Sequence, residues 1–487
     1  MGEYDPADFE ILHPGVYTAR ESDLVAQQLL RNQALEERGP VDAKALAAGT
    51  LPADTPGIGP TLPVTEAMVR YNNAKYDPDN RLLNDAEYAR SLGFKDILAM
   101  PCYGAHDDSY VTPYPPEARD TLLVSQLNHS VTSFRPVYPG DTLYLVVDRR
   151  SMVDRTPAEG SIYRHLSLTS CGSVFNQRGE KVNDVCFGVS ESVKIFKEDK
   201  RPEKMGFAEL WESPDWMSRP PHYYTDADWE FIKGLWAAEK RRGAEPLYWE
   251  DVKIGDEPAW TVDGPIDESL APTTPYGMGT GGSRTLRNEI MDPAVFATMV
   301  RGEKDGIYRL PDREACVPAV PDGAVPFFMV DPGAAEDGAV DTKNIHQAGP
   351  DRAVLINFLG RDLAIRHLNN WMGDHGWLHN LRWGIMPAEA MAAHGKPVPE
   401  NPRMRELLER VRRPEGARFV HGLTGDLAIV KSRVYDKYVR DGLFYADLAW
   451  WIETIEGDIW LVGLATIKLP SKRAHGRVAA SDAGGAA

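Results

Sequence analysis

The chain has 487 residues, 43% apolar and 26% charged, which is too long for one compact core and far from a disordered composition, so two domains plus extensions are expected. A formal net charge of −18, from 72 acidic against 54 basic side chains, repels a phosphate backbone over most of the surface and argues against a nucleic-acid partner. No run of about 18 apolar residues occurs and the N-terminus has neither a basic start nor an apolar stretch, so no membrane partner is expected and the cytoplasm is the expected location.

In chain order, residues 1–60 read as an N-terminal extension that ends in Pro- and Gly-rich sequence. A first domain is expected over 61–200. Its helix candidate runs from about Tyr103 to Tyr114 and is broken by Pro113, Pro115 and Pro116. PVYPGDTLYLVVDRRSMVDR (136–155) and SIYRHLSLTSCGSVFNQRGEKVNDVCFGVSESVKIF (161–196) follow, with the two-residue alternation of half-buried antiparallel strands. Arg178-Gly179 marks a hairpin turn. The four cysteines, Cys102, Cys171, Cys186 and Cys316, form no C-x-x-C pair and read as buried thiols of a reducing compartment, not as a disulfide frame or a zinc site.

Residues 201–246 read as a packed helical crossover. Thr225 and Asp228 have capping-box spacing, and Trp229, Ile232 and Trp236 follow at intervals of three and four. The second domain, expected over 247–472, contains Gly277-Met278-Gly279-Thr280-Gly281-Gly282, a flexible loop by this reading, because no hydrophobic strand precedes it and no βαβ unit surrounds it. NFLGRDLAIRHLNNWM (357–372) sets Leu359, Leu363, Leu368 and Met372 near one side of a helix. LTGDLAIVKSRVYDKYVRDG (423–442) and LFYADLAWWIETIEGDIWLVGLATIKLP (443–470) then repeat the first domain's pattern of Gly-Asp turn, strand, long strand, hairpin at Glu456-Gly457 and final strand. Trp450 and Trp451 are neighbours on a strand and point to opposite faces, so one is expected in the core and the other against the crossover helix or another subunit. Residues 473–487 are expected to be a disordered tail.

A helix followed by an antiparallel meander, twice, predicts an α+β protein of tandem hot-dog folds, each an antiparallel sheet wrapped around a central helix, joined as a double hot-dog pseudo-dimer. DPDNRLLNDAEYARSLGFKDILAMP (77–101), PVYPGDTL (136–143), RRGAEPLYWEDVKIGDE (241–257), NWMGDHGWLHNLRW (370–383) and GLATIKLP (463–470) together resemble the long tandem members of the MaoC-like acyl-CoA hydratase/dehydratase family. The resemblance implies an acyl-CoA thioester substrate, no cofactor and no metal, an Asp/His dyad in a D-x4-H pattern ahead of the central helix, and homo-oligomers of pseudo-dimers as a possibility. The first half fails that pattern: counting from Asp77 the His position holds Leu82, counting from Asp79 it holds Asn84, and matching Asn80 to the family's asparagine puts Leu83 there. There it implies an acyl pocket without catalysis. The second half carries Asp341-Thr342-Lys343-Asn344-Ile345-His346, which has the spacing.

Hydration of a conjugated thioester needs a base for water, an acid for the alpha carbon and a stabilised enolate oxygen. Asp341 and His346 are the candidates for the first two tasks, the alternative being polar residues of a solvated loop. Gly360 or its neighbour is the candidate backbone N–H donor at the helix start, the alternative being a small residue for helix–sheet packing. Asn344 either orients the dyad or sits in a turn. Asp362 and Asp374 would serve a hot-dog thioesterase, which needs a carboxylate on or near the helix; they equally suit the helix dipole and the helix end. His367, His375 and His379 lack a metal-site signature. A hydratase or dehydratase is therefore expected, with a thioesterase or a non-catalytic acyl-CoA-binding subunit as alternatives.

Overall fold

A computed structural model of the protein describes residues 30, 32–104, 122–154, 163–194, 219–266, 284–311, 355, 357–384, 409–411, 415–420 and 422–473. Ten strands form one antiparallel sheet: β1 (Ile58–Pro63), β2 (Leu122–Ser133), β3 (Thr142–Asp154), β4 (Tyr163–Asn176), β5 (Lys181–Lys194), β6 (Thr261–Asp263), β9 (Trp377–Gly384), β10 (Ala428–Arg440), β11 (Leu443–Glu453) and β12 (Ile459–Lys468). Between β6 and β9 lies a separate two-stranded ribbon, β7 (Val300–Arg301) with β8 (Tyr308–Arg309).

Strand order shows how the halves are related. Across the sheet it runs β1-β3-β4-β5-β2-β9-β12-β11-β10-β6. Leaving out the ribbon and reading the second half inward from β6, both halves have the order first, third, fourth, fifth, second. They meet at β2 and β9, where His129 faces Trp383 and Val131 faces Leu381. The protein is a double hot-dog, one continuous sheet with a pseudo-two-fold axis between β2 and β9.

In the second half the sheet wraps the central helix, Asn357–Met372. Leu359, Leu363 and Leu368 are fully buried on it and pack with Leu381, Trp383, Trp450 and Trp460. The helix is also buried on its polar sides, and there each charge is matched: Arg366 forms a bidentate pair with Asp263 of β6. The corresponding first-half helix candidate lies outside the described residues beyond Gly104, as does the Gly277–Gly282 loop. Among the described residues no helix is long and apolar enough to cross a membrane.

The crossover helix, Asp226–Ala238, has the expected capping box at Thr225 and Asp228. Its buried Trp229, Ile232 and Trp236 pack on Val262, Leu286, Ile307 and Ile429. The expected hairpin turns at Arg178-Gly179 and Glu456-Gly457 join β4 to β5 and β11 to β12.

Two expectations are corrected. Cys171 and Cys186 are not separate thiols: they face each other across β4 and β5 with Cα atoms 4.1 Å apart and are joined as a disulfide, while Cys102 is a buried free thiol. Spacing along the chain hides this pair, because the meander register brings the two sulfurs together. Trp450 and Trp451 do point to opposite faces, yet both are buried. Trp450 belongs to the main core, and Trp451 to a second cluster in which Val411, Ala417 and Phe419 cover the outer face of the sheet.

Candidate active site

Thr65, Asn80 and Asp85 each begin a short helix by accepting backbone N–H bonds, giving helices Glu66–Tyr76, Arg81–Asn84 and Ala86–Ser91. Asp77, between the first two, is fully buried. Its carboxylate accepts hydrogen bonds from Asn80 Nδ2 at 2.9 Å and Asn369 Nδ2 at 3.2 Å, and forms an ion pair with Arg241 of the crossover. Leu83, one candidate for the histidine position, is buried in the core beside Val69 and Ile97. An alkyl side chain offers no proton, and a carboxylate with three donors is held in place.

Beside Leu83 lies a cavity between this segment and the C-terminal end of the central helix. Leu82, Phe94, Cys102, Met372 and Trp377 contribute to its apolar wall, with amides from Asn80, Asn183 and Asn369. Asp374, also in the lining, accepts a hydrogen bond of 2.5 Å from the Tyr88 hydroxyl. The cavity therefore draws on both halves, and its apolar walls suit a hydrocarbon group better than ionic chemistry.

At the other end of the helix, Arg361 Nε donates to Asp362 Oδ1 at 2.7 Å, and both side chains are buried. Burial pushes the Asp362 carboxyl up, against the opposing influence of Arg361 and Lys75. Burial likewise lowers the Lys75 amine to about 8, with Asp362 opposing. The buried Cys102 thiol is pushed up to about 12, and His129 is held down to about 3, in each case mainly by burial. His129 is thus neutral at ordinary pH, with its ring 5.1 Å from that of Trp383. Asp362, which a thioesterase reading would use, is committed to its neighbouring guanidinium.

Gly360 sits on the side of the helix nearest β12. A methyl group there would press on the Leu461 side chain and stand 3.1 Å from the Trp460 ring, so glycine eases the close helix–sheet approach at this position. The three histidines do not converge. His367 lies between Thr261 Oγ1 at 3.0 Å and Ser432 Oγ at 2.8 Å, His375 contacts the Ala244 carbonyl at 3.1 Å, and His379 the Ser133 carbonyl at 3.2 Å. Asp341, Asn344 and His346 lie outside the described residues. The sequence reading missed Arg241 as the counter-ion of Asp77, and nothing local signals it, because Lys75 and Arg81 are nearer in the chain.

No family model and no curated protein matches the sequence. Solved structures are similar in fold. A MaoC-like dehydratase is 14% identical, covering 85% of this chain and 96% of its own, with a TM-score of 0.39. A putative MaoC domain protein dehydratase from Chloroflexus aurantiacus is 12% identical, covering 85% and 94%, with a TM-score of 0.38. A conserved hypothetical double-hotdog protein from Mycobacterium tuberculosis is 10% identical, covering 89% and 99%, with a TM-score of 0.39. In structure, this chain is similar to MaoC-like dehydratases and to a double-hotdog protein.

Proposed function

We propose that the protein is a MaoC-like acyl-CoA hydratase/dehydratase, adding water to a 2-enoyl-CoA or removing it from a 3-hydroxyacyl-CoA, with Asp341 and His346 as the acid–base dyad of the second half. The observation that carries this reading is the inequality of the halves. In the first, neither Leu82 nor Leu83 can transfer a proton and Asp77 is tied to Arg241, so acid–base work falls to the second half, whose D-x4-H segment precedes the central helix.

In the hydration direction, the dyad holds one water; its basic member takes a proton as the oxygen bonds to C3, and its acidic member delivers a proton to C2. The negative charge that builds on the thioester oxygen between these events is met by backbone N–H groups at the helix start, near Gly360, aided by the helix dipole. Asn344 orients one partner of the dyad. The first half contributes acyl-binding surface and no proton transfer.

The direct test is hydration of a panel of trans-2-enoyl-CoA thioesters of different chain lengths, followed by loss of the conjugated enoyl absorbance. Turnover on at least one chain length is expected. Folded protein with no turnover on any of them would overturn the proposal.

A further inference from the structure

One rung of the sheet leads from the cavity to a surface of unmatched positive charge. Trp377, in the cavity wall, lies across from Lys468 in the β9–β12 ladder; Lys468 lies across from Tyr445, and Tyr445 from Tyr438. Directly opposed residues share a sheet face, so the four side chains form a row. The rings of Tyr438 and Tyr445 stack with centroids 5.3 Å apart and 17° between their planes. Over Tyr445 stand Arg440 at 5.2 Å and Lys468 at 5.9 Å from its centroid. The His379 ring is 5.7 Å from that of Tyr445, and its contact with the Ser133 carbonyl leads back to the cavity, where Ser133 and Arg135 form part of the wall.

Among the described residues, neither Lys468 nor Arg440 forms an ion pair with a carboxylate. Asp447 feels the charge of Arg440 without pairing with it. Burial and the proximity of Arg440 hold the Lys468 amine below its usual range. A chain of net charge −18 thus gathers two cations on one row, where a bound anion would relieve their mutual repulsion.

We infer that this row is a phosphate-binding subsite and, resting on the acyl-CoA reading above, that it takes the phosphorylated nucleotide of a CoA thioester. Both cations stand over one ring and can act on a single phosphate or diphosphate, Arg440 through its fork of donors and Lys468 as a point charge. An acidic carrier protein is a poorer occupant, because the overall charge of the chain opposes its approach. A small polyanion responds chiefly to charges within a Debye length, about 8 Å at physiological ionic strength.

Adenosine 3′,5′-bisphosphate is the probe, since it carries phosphates and no thioester. Calorimetric titration of the full-length protein should show binding that weakens with added salt. In a Lys468→Ala, Arg440→Ala double variant, with its fold checked by circular dichroism, affinity should fall about tenfold or more, while Lys468→Arg retains it. CoA should lose affinity in the same double variant and pantetheine should not. Equal bisphosphate binding by parent and variant, no binding by the parent, or an equal loss for pantetheine would overturn the assignment, as would binding of an acylated carrier protein without nucleotide binding. Because no turnover is read, intact nucleotide binding without hydration defeats the catalytic proposal alone, and hydration without nucleotide binding defeats the subsite alone.

Discussion

Asn369 Nδ2 donates to Asp77 Oδ2 at 3.2 Å, tying the central helix of the second half to the buried turn of the first half. With Arg241 on the other carboxylate oxygen, Asp77 is a structural acid at the junction of helix, crossover and first half. Arg241→Ala leaves that carboxylate buried without its cation. We expect a loss of roughly 3 kcal/mol in urea unfolding, at the low end for breaking a buried pair because Arg241 is partly exposed. A loss below about 0.5 kcal/mol would mean that solvent or the two asparagines already satisfy the acid.

Placing an imidazole in the first half should not create catalysis there. Leu82→His, at D-x4-H spacing from Asp77, places a ring beside an apolar cavity, with that carboxylate already engaged by three donors. In an Asp341→Asn background this substitution should give no gain in enoyl-CoA hydration. Recovered turnover would show that Asp77 is available for chemistry.

His367 ties stability to pH. Burial lowers it to about 4, below its unfolded value near 6.5, so the unfolded chain binds the extra proton and acid favours unfolding. Its contribution is fully present above about pH 6.5 and is lost as pH falls towards 4, an effect of roughly 3 kcal/mol at most. Urea midpoints between pH 7.5 and 4.5 should decline, and His367→Gln, which retains hydrogen bonding to Thr261 and Ser432, should flatten that decline. An unchanged slope in the variant would assign the acid sensitivity to other groups, such as the buried His129.

Gly360→Ala separates packing from catalysis, since alanine keeps the backbone N–H while adding a methyl against Leu461 and Trp460. Overpacking of this kind costs about 1–3 kcal/mol, so thermal unfolding should move down. Unchanged stability with lost hydration would favour a role for this position at the substrate, and lowered stability with normal turnover a role in packing alone.

These residues also mark what the sequence could and could not tell. The central helix was legible at both ends because Leu359, Leu363, Leu368 and Met372 keep helical spacing, and the capping box at Thr225 announces itself locally. The lack of a D-x4-H match in residues 77–101 was equally plain. What stayed hidden depends on contacts across the fold. Arg241 is 164 residues from Asp77, the Cys171–Cys186 pair follows from strand register, and Trp451 is buried by a segment around Phe419 that no strand periodicity foretells.

The dyad itself carries the last prediction, which rests on the D-x4-H spacing and the absence of a competent counterpart in the first half. Asp341→Asn keeps the shape and removes the carboxylate; His346→Ala removes the imidazole. Each should lower enoyl-CoA hydration by about 10²–10⁴-fold, the effect of a positioned acid or base, with circular dichroism unchanged. Both groups act on one water, so the double variant should be little worse than the more damaging single one. Multiplicative losses would instead indicate two independent roles. Near-normal turnover by both folded single variants would remove Asp341 and His346 from the mechanism. The ion-paired Asp362 and the Tyr88-bound Asp374 would then be the next carboxylates to replace, because they flank the two ends of the same helix.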